Sequence, residues 1–279
     1  MTEPGLDGFL LAAGLGTRMG PLSVALPKPA WTLRGRPLLQ WGAETLRQAG
    51  CRSIACNAHL HPAKLREVAA GLEVFEEPAL LGSAGGLRHA RGRVREELLV
   101  WNADALAESV PFDLLRRRHR DRGASLSWLL VPHAGPWSRV WLDEEDRVLP
   151  PGRTGRGPYH FTGAACWSPG ALDLLPEGAS EQRDLLPRLP LHLGVVAEPF
   201  PWREVGSPEA LLEAAADLAP EQEGRVAGCY LHPSADPGPG PAARFTRCVF
   251  GPGAAPPAAI RDRDALWFAE DGRQVRLNL

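Results

Sequence analysis

The densest chemistry in the sequence lies in Leu11-Ala12-Ala13-Gly14-Leu15-Gly16-Thr17-Arg18-Met19-Gly20-Pro21-Leu22-Ser23, followed shortly by Pro27-Lys28-Pro29. Glycines 14 and 16 allow a tight turn that leaves backbone amides pointing outward, where they can meet anionic oxygens. Arg18 offers a planar fork of donors that matches a phosphate. Lys28, between two prolines that restrict its backbone, offers a compact point charge. Of the 31 basic residues only Lys28 and Lys64 are lysine, so a lysine at this position signals a role that guanidinium does not fill. No Gly-Lys-Ser/Thr closes the loop, and the third glycine comes one residue late for a dinucleotide fingerprint. Gly14-Leu15-Gly16 taken alone is equally well a simple tight turn.

A second group of polar residues ends the apolar run Glu97–Trp101 with Asn102-Ala103-Asp104. Transfer of a phosphoryl or nucleotidyl group calls for a hard divalent cation, and Mg²⁺ prefers one or two carboxylates plus water. An isolated Asp after a strand reads more readily as a turn or cap; beside the glycine loop, Asp104 reads as a metal ligand. The segment Glu77-Pro-Ala-Leu-Leu-Gly82-Ser83-Ala-Gly85-Gly86-Leu87 could place a glycine-rich helix start against a ligand, or be a turn capped by Ser83. Arg88 follows it as a lesser phosphate candidate, more simply a surface charge. Asn57-Ala58-His59 is equally a capped strand end.

These residues need rigid elements behind them. Gly8–Ala13, Ser53–Asn57, Leu72–Glu76, Leu98–Trp101 and Ser125–Val131 read as short buried strands, alternating with helical stretches at Pro37–Ala49, Pro62–Ala70, Ala84–Arg91 and Phe112–Arg122. That alternation predicts an α/β fold, Rossmann-like, with a mixed, mostly parallel sheet covered by helices on both faces. Ligands in such sheets sit beyond the carboxyl ends of the strands. Strand-like pieces follow at Arg139–Leu142, Tyr159–Trp167 and Leu191–Glu198, and Ser207-Pro208 opens a helix running to Leu218. From about Pro220 the chain turns rich in Pro, Gly and Ala, with β-like bits at Arg244–Phe250 and Ala265–Phe268. Residues 1–219 are expected to form one domain, and residues 220–279 a linker or a small β-rich appendage.

The chain of 279 residues is long enough to bury its own core, and 44% hydrophobic against 23% charged residues excludes global disorder. A formal net charge of −2 supplies no basic field for nucleic acid or an anionic membrane. No uncharged run has the length of a membrane span, and the first residues lack the positive start of a signal peptide. Five cysteines (51, 56, 166, 229 and 248) without a Cys-x-x-Cys pair predict free thiols in a reducing cytoplasm.

The stretch LAAGLGTRM…PLS…PKP resembles the signature of the sugar-1-phosphate nucleotidyltransferases, and the resemblance extends over roughly residues 8–219. It implies a loop around a nucleoside triphosphate in which Leu11, Ala12, Ala13, Gly14, Gly16 and Thr17 bind the nucleotide. Arg18 would neutralise the leaving phosphates and Lys28 the α-phosphate. Asn102-Ala103-Asp104 resembles the family's metal motif, and Glu77…Gly82…Gly85 its segment near the nucleobase. Phe161-Thr162-Gly163 resembles the strand that lies beside the sugar. Trp202-Arg203-Glu204-Val205-Gly206-Ser207-Pro208-Glu209 resembles the segment that supplies a second metal ligand, so the resemblance assigns Mg²⁺ to Asp104 and Glu204. Three departures accompany it. Glu204 stands where the family has Asp, Trp137-Ser138 where it has Tyr-Gly, and Tyr159-His160 where many members have Glu-Lys.

The implied reaction joins an NTP and a sugar 1-phosphate to give an NDP-sugar and pyrophosphate. Within the family the chain is most like bacterial mannose-1-phosphate guanylyltransferase-like proteins, with N-acetylmuramate-1-phosphate uridylyltransferases as the alternative. Cys248–Ala254 and Asp264–Trp267 resemble worn turns of a left-handed β-helix, a cap that in some members forms a homo-oligomer contact. A catalytically weak paralogue that binds nucleotide sugar is the rival from another class, favoured by Glu204 and Ser138. A dehydrogenase is disfavoured by the glycine spacing and by Asn57 where a ribose-binding acid would stand.

Overall fold

The computed structural model describes residues 6–279 except 21, 134, 136–138, 219–224, 227–228, 237, 239–240, 242–244, 247, 258, 261 and 271–272. Trp137-Ser138 therefore lies outside the described residues. Its contacts divide the chain into two compact units. The first comprises Met1–Gly14, Gly42–His59 and Ala69–Arg203, and the second Leu15–Trp41, Leu60–Val68 and Glu204–Leu279.

Unit 1 is built on strands whose apolar runs are buried. In chain order they are β1 (Leu6–Leu11), β2 (Ser53–Ala58), β3 (Glu73–Glu76), β4 (Glu97–Asn102), β5 (Leu126–Pro132), β6 (Val140–Leu142), β7 (Arg156–Trp167) and β8 (His192–Val196). They form one sheet in the order β8-β5-β7-β4-β1-β2-β3, with β6 pairing β7. β1 pairs in parallel with β2 and β4, β2 with β3, and β8 with β5. Only β7, against β4, β5 and β6, runs antiparallel. The mixed, mostly parallel sheet expected from the alternating pattern is thus present. One face buries Phe9, Leu98, Val100, Trp128, Ala165 and Trp167 in a continuous core.

Helices cover the sheet where their apolar stripes permit. In α1 (Leu38–Gln48) a Cβ at Gly42 would fall 2.9 Å from Leu10 Cδ2, so the missing side chain lets helix and strand approach. α2 (Gly82–His89) buries Ala84 and Leu87. In α3 (Phe112–Arg122) Phe112, Leu115 and His119 recur at helical spacing on the buried side, and Gly123 stops the helix in the left-handed region at φ 59°. Among the described residues no helix is long and apolar enough to cross a membrane.

Beneath α3, Glu97, His119 and Cys166 bring ligand-capable atoms within 4.8 Å of one another. The cluster is occupied by protein groups. Glu97 is clamped by Arg116 (2.8 Å) and Arg120 (2.7 Å). His119 Nδ1 and Nε2 each lie 2.9 Å from a hydroxyl, those of Ser127 and Ser168. Ser168 donates to Ala124 O at 2.7 Å, so Nε2–H donates to Ser168 and Nδ1 accepts from Ser127, which a neutral imidazole satisfies in full. Burial holds the Cys166 thiol protonated, well above its usual range.

Unit 2 gathers the Pro/Gly-rich tail into a small β-rich body. β9 (Cys229–Leu231), β10 (Val249–Phe250) and β11 (Ala265–Glu270) pair in parallel, Tyr230 with Val249 and Val249 with Leu266, and β12 (Arg273–Asn278) closes antiparallel on β11. Cys229, Phe245, Cys248, Phe250 and Trp267 form its core. Trp31, fully buried, packs on Tyr230 with ring centroids 5.8 Å apart. α4 (Pro208–Leu218) starts as the sequence predicts, Ser207 Oγ accepting from Ala210 N at 3.2 Å. All five cysteines are buried and free.

His119 makes stability depend on pH. Desolvation chiefly, offset in part by the nearby Glu97 charge, pulls its imidazole down to about 4. A histidine depressed below its unfolded value of about 6.5 contributes fully above that pH, and the contribution fades as pH falls toward 4. Urea titrations at pH 7.5 and 4.5 are expected to show His119→Gln losing less stability than the wild type across that interval, by on the order of 3 kcal/mol. Equal losses would place the pH sensitivity elsewhere.

Candidate functional site

In unit 1 the carboxyl ends of β1, β2 and β3 converge on one buried amide. Asn57, 3% exposed at the end of β2, accepts from Ala12 N at 2.6 Å and Ala13 N at 3.2 Å through Oδ1. Its Nδ2 donates to Glu77 Oε1 at 2.7 Å, and Glu77 Oε2 accepts from Leu81 N at 3.0 Å. The first turn after β1 is therefore fixed from below, with the amides of Ala12 and Ala13 turned to Asn57. Glu77, also buried, holds both carboxylate oxygens inside the protein. His59 Nδ1 lies 3.0 Å from Glu77 O, which fixes the ring of the Asn-x-His motif beside the same strand end.

The glycine-rich start of α2 rests on this pair. A Cβ at Gly86 would lie 2.5 Å from Glu77 Oε1 and 2.6 Å from Asn57 Nδ2. A Cβ at Gly85 would meet Gly178 O at 2.4 Å, and Gly82, at φ +73°, Glu181 Oε1 at 2.6 Å. Ala84 N and Gly85 N donate to Ser180 O, and both Ser83 N and its hydroxyl bond to Glu181 Oε2. Glu181 thus places a carboxylate at the positive end of α2. These glycines meet protein where a side chain would begin. Gly14 has nothing within 4 Å of its Cβ position, so the loop is open there.

Asp104 stands just beyond β4, 8% exposed. The buried Trp101 donates its indole N–H to Ala105 O at 3.1 Å, closing the turn that carries Asn102 and Asp104, and Ala103 N donates to Leu11 O at 3.1 Å. Gly163, at φ +89° on β7, lies against Asn102, where a Cβ would come within 2.7 Å of Nδ2. Unit 1 thereby brings together Leu11, Ala12, Ala13, Asn57, Glu77 and the Gly82–Gly86 turn, and sets Asn102 against Gly163. Of the Tyr159-His160 pair, His160 stacks flat on Trp202, ring centroids 5.3 Å apart and 3° from parallel.

The cations lie in unit 2. Gly16, left-handed at φ 62°, caps a 3₁₀ turn over Thr17–Met19 whose Met19 is buried, so Arg18 is presented outward. The Gly16 Cβ position is 3.6 Å from Lys28 Cβ, which sets Lys28 beside the same turn. Lys28 opens a second 3₁₀ turn over Lys28–Ala30 after an extended Pro27. Arg18 pairs with Glu204, and its guanidinium lies against Gly206, where a Cβ would fall 2.8 Å from Nη2 and 2.9 Å from Cζ. Glycine at 206 lets the arginine lie flat on the backbone beside its carboxylate. The other lysine, Lys64, donates to Ala25 O at 2.6 Å and ties down the short helix Leu22–Ala25.

A glycine loop with two cations beside it, and a carboxylate beyond a central parallel strand, are the parts of a nucleotide-handling protein. The model of the MobA-like NTP transferase domain matches residues 8–187. The chain belongs to that family. Among curated relatives, mannose-1-phosphate guanylyltransferase of Mycobacterium tuberculosis is 29% identical over 233 residues, covering 76% of this chain and 64% of the relative. The chain thus spans less than two thirds of that relative's length. Among solved structures, HddC from Yersinia pseudotuberculosis complexed with GMP-PN superposes with a TM-score of 0.64 at 20% identity, over 76% of this chain and 99% of that one. The inositol-1-phosphate CTP transferase from T. maritima gives 0.63 at 15% identity, over 75% and 94%. These structures share the fold of this NTP transferase chain.

Sequence reasoning missed Glu181, Gly178 and Gln182, which lie in a stretch with no recognisable motif and act through long-range hydrogen bonds and close approach to other elements. It left Asn57 undecided between motif and cap. The geometry makes two predictions for this NTP transferase fold. Gly86→Ala is expected to cost roughly 1–3 kcal/mol by overpacking, and Gly14→Ala close to nothing, in urea unfolding. Asn57→Ala, which leaves a buried carboxylate oxygen and two amides without their partner, is expected to cost about 2–4 kcal/mol. Equal behaviour of the two glycine variants would refute this division of roles.

Proposed function

We propose that the chain transfers a nucleoside monophosphate from an NTP to a sugar 1-phosphate, with GTP and mannose 1-phosphate as the preferred pair. The observation that carries this reading is the Gly16 turn, which presents Arg18 and Lys28 side by side. The named relatives support the choice of sugar and base. The acceptor phosphate oxygen attacks the α-phosphorus in line, and the bond from that phosphorus to the bridging oxygen breaks as pyrophosphate leaves with the electron pair. Little covalent chemistry falls to the protein; it positions the reactants and stabilises charge. Arg18 meets the departing β- and γ-phosphates, and Lys28 meets the charge that grows on the α-phosphate. Glu77, Gly82 and Gly85 act as scaffold for the loop above them, while Gly14, Asn102 and Gly163 line the substrates.

The residues fit a Mg²⁺ ion. Within unit 1, Asp104 is a hard oxygen donor fixed by the Trp101–Ala105 turn and would hold the ion; within unit 2, Glu204 is a carboxylate of the same chemistry, paired with Arg18. An ion held by Asp104 would supply charge neutralisation to the phosphates. In unit 2 a triphosphate competes with Glu204 for Arg18, so that nucleotide binding releases the Glu204 carboxylate. The five buried thiols suit a reducing cytoplasm. The same ion pair favours a second reading, a nucleotide-sugar-binding regulator, because it neutralises the phosphate-binding arginine.

Pyrophosphate release with Mg²⁺, four NTPs and the 1-phosphates of mannose, glucose, N-acetylglucosamine and N-acetylmuramate tests both. Turnover with one pair supports the enzyme; nucleotide-dependent thermal stabilisation without turnover supports the regulator. Lys28→Ala is expected to lower kcat by about 10²–10³-fold while leaving the melting temperature nearly unchanged, and a large drop in melting temperature would count against it. Glu204→Asp is expected to retain or raise turnover, because the shorter acid still reaches a cation but holds Arg18 less firmly.

A further inference from the structure

Unit 1 holds a cavity of about 270 Å³ that none of the residues discussed above as ligand-binding lines. Its roof is the hairpin formed by β6 and the returning chain, held by the Leu142–Val148 bridge and by Leu149 N donating to Trp141 O at 2.8 Å. Its buried lining is apolar: Trp128 on β5, Leu186, and Val140 and Val148 of the hairpin itself. Trp128 is held rigidly, stacked on Phe161 at 4.7 Å between ring centroids and donating its indole N–H to Gln182 Oε1 at 3.1 Å. Trp141 and the stiff Pro150-Pro151 pair complete the apolar wall.

The rim is cationic. Arg139, Arg153 and Arg183 line the mouth, all three exposed, and no Asp or Glu is among the lining residues. Of the acids in the neighbouring hairpin, Asp146 binds Arg156, and Asp143 accepts from Glu145 N and Arg147 N. Arg139 and Arg153 present forked donors suited to phosphate oxygens, and Arg183 adds positive charge to the same lining. An apolar floor with an indole wall offers few hydrogen bonds to a sugar ring but a good surface for a flat aromatic one. The volume of about 270 Å³ lies just below the usual range of ligand sites, roughly 300–1,000 Å³, so the ligand is no larger than a mononucleotide.

We infer that this cavity is a second nucleotide site, which takes a nucleoside 5′-monophosphate with its base on the Trp128–Trp141 floor and its phosphate at the arginine rim. Gln182 also connects it to the α2 start, since Gln182 N donates to Ser83 Oγ at 3.0 Å. The site therefore shares a support with the glycine-rich turn without sharing a lining residue. The inference rests on the cavity and does not require the proposed transfer reaction.

Calorimetric titration of the full chain with GMP, AMP, CMP and UMP tests it, alongside ribose 5-phosphate and inorganic phosphate. Saturable binding of at least one mononucleotide is expected, weakened tenfold or more in Arg139→Ala/Arg153→Ala and in Trp141→Ala, with ribose 5-phosphate binding at least tenfold more weakly. Both substitutions lie on exposed or half-exposed positions, and Arg153→Gln serves as the milder variant if the double change unfolds. Hydrogen exchange is expected to show mononucleotide-dependent protection over residues 139–154. Equal affinity for phosphate alone would overturn the base-binding floor. Mononucleotide binding unchanged in all three variants, with no protection in this hairpin, would overturn the site. If turnover is present, a matching rise in KM for NTP or sugar 1-phosphate in the arginine variants would overturn it as a separate site. Absence of turnover bears only on the proposed reaction.

Discussion

The geometry of unit 1 depends on a buried pair without a formal cation, Asn57 with Glu77. A carboxylate removed from water is costly unless its oxygens are hydrogen-bonded, and here one is met by Asn57 Nδ2 and the other by Leu81 N. Asn57 in turn passes the constraint across the sheet, because its carbonyl oxygen holds the two amides that follow β1. One amide side chain thereby ties β1, β2, the end of β3 and the start of α2 into a single network. Each link closes a group that would otherwise be orphaned, which is why the network is all-or-none in character. The loop after β1 begins from a fixed pair of residues and becomes open only at Gly14.

The cations of unit 2 follow a different rule. Arg18 and Glu204 are at the surface, where an ion pair is worth little and is easily exchanged. That suits groups that must change partners. The flat approach of Arg18 to Gly206 fixes where the guanidinium lies without burying it. The two lysines stand where a compact charge serves better than a fork. Lys64 reaches a single carbonyl at a helix end, and Lys28 sits beside the Gly16 turn, where a planar guanidinium would need more room.

Much of this was legible in the sequence. The buried strands were marked by short apolar runs, and helix α3 by its spacing, so that its predicted span, Phe112–Arg122, coincides with the observed one. The Ser207-Pro208 start of α4 was equally clear, because capping depends on local chemistry alone. Asp104 and Gly16 could be singled out since motif and position agreed. What was not legible is long-range. Asn57 looked like a strand cap because its three side-chain hydrogen-bonding partners lie in two other segments. Glu181 carries no motif, and its work at the α2 terminus depends on a chain reversal nearly a hundred residues later. The Pro/Gly-rich tail gave no periodicity because its strands are short, yet parallel pairing of β9, β10 and β11 organises it.

The glycines show why a family signature is more informative about scaffold than about substrate. Gly82, Gly85 and Gly86 belong to the motif that the resemblance places near a base, yet the space where their side chains would begin is taken by Glu181, Gly178 and the Asn57–Glu77 pair. Any protein that closes this network needs small residues there, whichever base it reads. Gly163 likewise makes room for Asn102. Selection of base and sugar therefore falls to side chains that the network leaves unconstrained. In unit 1 the hairpin cavity, with three arginines and two tryptophans in its lining, stands apart from that network. A motif held in place by packing can pass unchanged between substrates, while a rim of exposed arginines can be rebuilt at little cost to the fold.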